Sequence, residues 1–390
     1  MRVIPWLIAV LAFAFGYSLW RVEERSPLIT RADRRFHDWL IDTAAIPRKQ
    51  PVSVVLVEME DPGTWTALEY SLFLKALPKE NPPVVVLSAL PEVDDTAFTR
   101  AFHTLVLQQP RLVLPVRLSS EKPAAKENYW WLNGWRADSN EGDVPSFESV
   151  TAGPPENLRG SVAVGVAQTP ADITQTPLFF RLNGMNVPSL AFRAVLLVRK
   201  ISGEQIRWDN ALFLGKERLH ATRNGTLAVD PTFLPGLRRV RSSDLLLNLA
   251  GVDVAGPLGL GSEPLRGVLV LGDTSAAARK LAQPSGPPLT EAEWIAATVA
   301  TICNGPVLTR MPTGVSFLIM LGCVLIPFFF FRQRGSEKWL AVVILLGVYL
   351  GAALQFASSR GLASPIFTPV CVLLFGSALQ HLAALSRSHE

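Results

Sequence analysis

The chain has 390 residues, 49% of them hydrophobic and 18% charged, with a net charge of +4. That is more apolar sequence than one ordinary globular core absorbs, and the Lys and Arg residues form no stripe of the kind that tracks a phosphate backbone, which argues against nucleic acid as a partner. Cys303 stands apart from Cys323 and Cys371, which fall within apolar runs, so a packed core and not a disulfide is expected to hold the fold together.

The first element is an apolar run over residues 3–20, preceded by Arg2. Its aromatic residues Tyr17 and Trp20 suit a membrane interface, so it reads as an anchor; a cleaved signal peptide with Ala12-Phe13-Ala14 as its cleavage site is the rival. Residues 21–312 then interleave two patterns. Short β-branched runs at 52–58 (VSVVLVE), 83–87, 112–117, 162–167, 178–182 and 268–271 predict strands buried on both faces of a sheet. Apolar residues at helical spacing over 65–77, 96–108, 190–200, 243–249 and 291–304 predict helices covering them. The expected fold class is therefore α/β, a largely parallel or mixed sheet with covering helices. Residues 121–159 break the alternation, being rich in polar residues, Gly and Pro, with Tyr129, Trp130, Trp131 and Trp135 set among them. These aromatics are candidates for packing onto the parent domain or for binding a partner.

Three further apolar runs, 313–331, 339–356 and 365–385, are each long enough to cross a hydrocarbon core of about 30 Å, and a tail of residues 386–390 follows. Arg332, Arg334 and Lys338 crowd the first loop between them, whereas the second carries only Arg360. By the positive-inside rule, both termini are expected in the cytoplasm and 21–312 outside. The runs contain no charged residue, which speaks against a transport path. Gly347 and Gly351 in the second run offer a face for close packing against another protein or a second copy of the chain.

Few constellations suggest chemistry. Gly272-Asp273-Thr274-Ser275 follows a strand much as a serine nucleophile does in some esterases, but Thr274 occupies the nucleophile position and no partner motif follows. Glu58, Glu60 and Asp61 end the first external strand; alternation sends neighbouring side chains to opposite faces, so a solvated strand end is favoured over a cation site. His37, His103, His220, His381 and His389 never come at ligand spacing. No enzyme activity, metal or cofactor is expected. A small ligand would bind at the carboxyl ends of the strands, near Glu60, Asp61, Ser88, Gly272, Asp273 and Thr274.

The order of parts resembles the CHASE2 family, extracytoplasmic sensory domains of bacterial receptors followed by three membrane spans. The resemblance is carried by Phe36-His37-Asp38-Trp39, the strand from Val54 to the acidic pair with Gly63-Thr64-Trp65 after it, and Pro188-Ser189-Leu190-Ala191. Further matches are Ser242-Ser243-Asp244-Leu245-Leu246, the strand Gly267-Val268-Leu269-Val270-Leu271-Gly272, and the exit through Asn304-Gly305 and Thr309-Arg310-Met311-Pro312. Ser88 stands where the family's second strand usually ends in Asp, and Thr290 to Thr298 replace the typical Pro-Gly-Val and His. The resemblance implies a multi-pass protein of the bacterial inner membrane, bound to lipid, that senses or scaffolds. Members commonly continue into a cytoplasmic output domain, where this sequence has residues 386–390, so a partner protein is expected to supply the output. A purely structural envelope subunit is the second reading and an external hydrolase the third.

Overall fold

The computed structural model describes residues 3–23, 35–36, 39–40, 43, 52–59, 66–77, 82–91, 97–123, 128–136, 144–170, 175–208, 212–219, 225–229, 231–249, 267–282, 287–305, 309–311, 313–330, 337–360 and 362–388. The chain divides into two compact units, Lys49–Pro306 and the pair of segments Met1–Arg48 and Val307–Glu390. Residues 21–48, expected with the external domain, thus group with the apolar helices. Phe36 and Leu40 account for this, packing against Ala353 and Ala357.

The strands that position the site are β1 (Val54–Met59), β2 (Val84–Leu87), β3 (Leu112–Ser119), β4 (Ser149–Ala152), β5 (Ala163–Val166), β6 (Phe179–Leu182), β7 (Met185–Pro188), β8 (Arg238–Arg241) and β9 (Val268–Asp273). The helices are α1 (Val3–Glu23), α2 (Ala67–Ala76), α3 (Ala97–Leu107), α4 (Leu190–Val198), α5 (Ser242–Leu249), α6 (Glu291–Asn304), α7 (Thr313–Phe330), α8 (Glu337–Arg360) and α9 (Phe367–Ser388).

The Lys49–Pro306 unit is mixed α/β. Its seven-stranded sheet runs β8-β1-β9-β2-β3-β4, with β5 also pairing β3. All pairs are parallel except β4 on β3, so the sheet is mixed, with its parallel part at the centre. Because β1, β2 and β9 are buried on both faces, they read in sequence as continuous apolar runs. Helices α2, α3 and α5 cover one face, and α4 and α6 the other. Phe73, Phe102, Tyr70 and Val106 of the first layer are buried against Val55, Val57, Leu87 and Leu271 of the sheet. Each such side chain contributes about 1.5–3 kcal/mol by leaving water.

Local signals set the helix starts. Ser189 accepts from the Phe192 N–H (3.3 Å) at the start of α4, and Thr66 pairs with Glu69 in a capping box before α2. Gly165 in β5 lets α4 approach, because a Cβ there would lie 2.6 Å from the Leu190 Cα. The run 178–182 is a strand as expected, β6, but it pairs β7 in a separate four-stranded sheet. Strand β8 was not expected, since Arg-Arg-Val-Arg offers only Val240 as a buried apolar residue.

In the second unit, α1, α7 and α9 pack together around Ala12, Met320, Val324 and Val372. A Cβ at Gly16 would lie 2.7 Å from Val372 Cγ2, so the glycine allows α1 and α9 to touch. Phe15 stacks on Phe375 with ring centroids 4.3 Å apart. Helix α8 stands more apart, burying only Val342, Ala353 and Ala357 along Val342–Ser359. Among the described residues that stretch alone is long and apolar enough to cross a membrane, and the apolar parts of the other helices, Leu7–Leu19, Gly314–Leu325 and Phe367–Leu382, are shorter.

Candidate functional site

Strands β1, β9 and β2 lie side by side, and their carboxyl ends meet. The Ser88 N–H donates to the Leu271 carbonyl (2.9 Å), and the Thr274 N–H to the Met59 carbonyl (3.3 Å). Ser88, Gly272, Asp273 and Thr274 therefore come together as the spacing of the strands implied, while Glu60 and Asp61 lie outside the described residues. Ser88 is buried. Gly272 faces the first turn of α6, where a Cβ would come within 2.6 Å of the Ala292 Cβ and run into the Ser88 hydroxyl. The glycine thus serves close helix–sheet packing. Asp273 accepts from the Ser275 N–H (2.8 Å), the side-chain turn that ends β9.

Above these strand ends sits an ion network. In β8, Arg239 lies in register with Leu56 of β1, so it shares a sheet face with Glu58. Its guanidinium donates to Glu58 and, from the second Nη, to Glu293 of α6, both at 2.9 Å. Burial alone would lower the pKa of Arg239, but its bonds to Glu58 and Glu293 outweigh this and hold it above its ordinary value. Burial likewise pushes Glu293 up, yet the Thr290 backbone N–H and Arg239 outweigh it and hold Glu293 below the usual carboxylate range.

Glu291, two residues earlier, behaves oppositely. Its Oε2 stands 3.5 Å from Arg117 of β3. Among the described residues its buried Oε1 has no hydrogen-bond donor. Burial raises its pKa by more than Arg117 and Arg279 lower it.

The N-terminus of a helix attracts anions, and in α/β sheets a ligand commonly binds at this place. Here the protein's own carboxylates fill it. Thr290 and Glu293 form a capping box, Thr290 N–H to Glu293 Oε2 at 2.8 Å and Glu293 N–H to Thr290 Oγ1 at 3.2 Å. Access for an outside anion requires Glu293 to leave both Arg239 and the helix cap. The arrangement can hold or release a charged group. The described histidine of this unit, His103, bonds Asn157 (3.1 Å), and burial pushes the Cys303 thiol up to about 11. Among the described residues no three His, Cys, Asp or Glu side chains converge to hold a metal.

Of the two readings of the aromatic excursion, packing onto the parent domain holds for Tyr129 and Trp131. Tyr129 and Trp131, offered as partner-binding residues, are buried in the domain's own core with Leu132 and Leu158. A short helical turn, Trp130–Leu132, rotates them inward, and Arg159 lies over the Trp131 ring at 5.0 Å. Trp135 is partly buried, edge-on to Phe179 at 5.3 Å. Trp130 alone of the four is exposed, at 64%. A Cβ at Gly347 or Gly351 would meet nothing within 4 Å among the described residues.

Sequence reasoning missed Arg239, Glu293, Arg117 and Glu291. The capping pattern Thr290-x-x-Glu293 was a readable signal for the helix start, but nothing local pairs it with Arg239. Comparison of the chain with protein-family models, with curated proteins and with solved structures found no match.

Proposed function

We propose that this chain is a multi-pass membrane protein of the CHASE2 type, a sensor or scaffold that holds an α/β unit outside the membrane and acts through a partner protein. One observation carries the membrane reading: Leu340, Val343, Ile344, Val348 and Phe356 project from α8 uncovered, while its charged residues Glu337, Lys338 and Arg360 are confined to its ends. A helix apolar on all sides and left bare suits lipid. In this reading α1, α7 and α9 cross beside α8, giving four spans with both termini in the cytoplasm of a bacterial cell. Helix α1 is retained as a span, because Ala12 and Gly16 pack into the bundle.

Sensing works by population shift: a ligand or envelope protein that prefers the unlocked strand end pulls Glu293 from Arg239, to the extent of its differential affinity for the two arrangements. A purely structural subunit is the second reading, favoured by the same network, which leaves the strand end filled by the protein's own side chains. Neither reading gives the chain a reaction of its own.

Reporter fusions test the topology. Fusions after Glu390 and within 333–338 are expected to report cytoplasm, and one within 121–159 the outside. A cytoplasmic signal from the last would remove both readings.

A further inference from the structure

We propose that α6 is a two-ended latch, tying the Arg239 network at the strand ends to both chain segments that join the α/β unit to the rest of the protein. This rests on the sensory reading above.

The body of α6 is buried without interruption from Trp294 to Cys303. Its 14 residues make a rod of about 21 Å. The small side chains Ala296, Ala297 and Ala300 alternate with the larger buried Trp294, Ile295, Val299 and Ile302, so the rod is close-packed and passes strain along its length. At its first turn it is held by Glu293 to Arg239, which also pairs with Glu58, and by Glu291 to Arg117.

At its last turn it is held in a different way. The Asn304 Oδ1 accepts from the Val52 N–H (3.0 Å), and the Asn304 Nδ2 donates to the Val52 carbonyl (3.2 Å). A primary amide offers one acceptor beside its donors, as a peptide group does, so Asn304 binds the backbone ahead of β1 like a further rung. Arg199 donates to the Ile302 and Cys303 carbonyls (3.1 and 3.3 Å) and pairs with Glu217 at 2.7 Å, fixing the helix end in place. Val52 stands just inside the unit boundary at Lys49, and Asn304 just inside the one at Pro306. One side chain therefore binds the entering strand to the departing helix. A rod held at both ends cannot be released at one without loading the other, so loss of the Arg239 bonds reaches Val52.

Hydrogen exchange of the full chain in lipid nanodiscs, read by mass spectrometry over peptides covering 52–59 and 291–305, tests this. Asn304→Leu removes the clasp directly and is expected to speed exchange around Val52 by about tenfold or more. Arg239→Gln, at the far end, is expected to speed the same segment by a comparable factor, whereas Arg159→Gln, which removes the exposed pair with Glu156, leaves it unchanged. Arg239→Lys, which retains the charge but not the paired geometry, gives an intermediate value, and it decides the matter if Arg239→Gln unfolds the sheet as a whole. Exchange around Val52 within about twofold of wild type in the Arg239 variants, with only the first turn of α6 loosened, would overturn the latch. That result would leave the topology standing, and a failed topology would leave the latch as a property of the fold.

Discussion

Two helices of similar apolarity meet opposite fates. Helix α6 of the α/β unit is covered by protein along its length, whereas α8 of the helical unit buries three residues of its apolar stretch and leaves Leu340, Val343, Ile344 and Val348 open. Composition alone does not separate them. Setting does: α6 seats Trp294, Ile295, Val299 and Ile302 in the core, and its Ala292 meets the sheet at close range over Gly272. The large side chains of α8 fill the space around it and find little partner among the described residues. A buried helix needs small residues where it crosses a sheet; a helix solvated by lipid has no such need.

The largest effect that would break this comparison is a truncation in each unit. Phe73→Ala removes a ring with 0% exposure and is expected to cost about 3–5 kcal/mol in urea unfolding in detergent micelles. Leu340→Ala removes a side chain with 63% exposure and is expected to change stability by less than about 0.5 kcal/mol. Equal losses would mean that α8 is packed after all. Glycines give the next largest contrast. Gly272→Val is expected to cost about 1–3 kcal/mol by forcing Ala292 away. Gly347→Val fits into open space and should leave the melting temperature where it was. A loss at Gly347 in native membranes but not in micelles would sharpen the picture, since it would reveal a protein seated on that face.

The smallest effect separates two carboxylates on one helical turn. Glu293 has a folded pKa below its unfolded value of about 4.3, so its contribution is present above that value and fades as the pH falls through the folded pKa. Glu291 has a raised folded pKa, so what it contributes is present below about 4.3 and is lost as the pH rises through the folded value. At neutral pH Glu293→Gln should therefore cost about 1–2 kcal/mol, and Glu291→Gln nothing or a slight gain. Unfolding curves at pH 7 and pH 4 check both: the Glu293→Gln deficit narrows at the lower pH, and a large deficit for Glu291→Gln at pH 7 would contradict the assignment.

Much of the α/β unit was legible because its sheet is buried on both faces. Runs such as Val54–Met59 and Val84–Leu87 announce strands without any alternation to decode. Strand β8 was hidden by the reverse circumstance: at the edge of the sheet, three arginines face water or ion partners and only Val240 faces the core. The candidate site was half legible for the same reason. Strand order in a parallel sheet is set by crossovers, so nothing near Glu58 in sequence announces that Arg239 and Glu293 will reach it. The aromatics of 129–135 looked like one patch in sequence, but a single helical turn divides them, sending Tyr129 and Trp131 inward and Trp130 outward.

The sheet order also sets a timetable. Strand β1 comes first in the chain, yet its two neighbours, β8 and β9, are the last strands of the sheet to be made. At a synthesis rate of about 5–20 residues per second, β1 waits roughly 10–40 s with neither edge paired. Its sequence, VVLVEM, is apolar and β-branched, the composition that invites pairing with a stranger. The newborn chain therefore carries an adhesive segment unprotected through nearly half of its own synthesis.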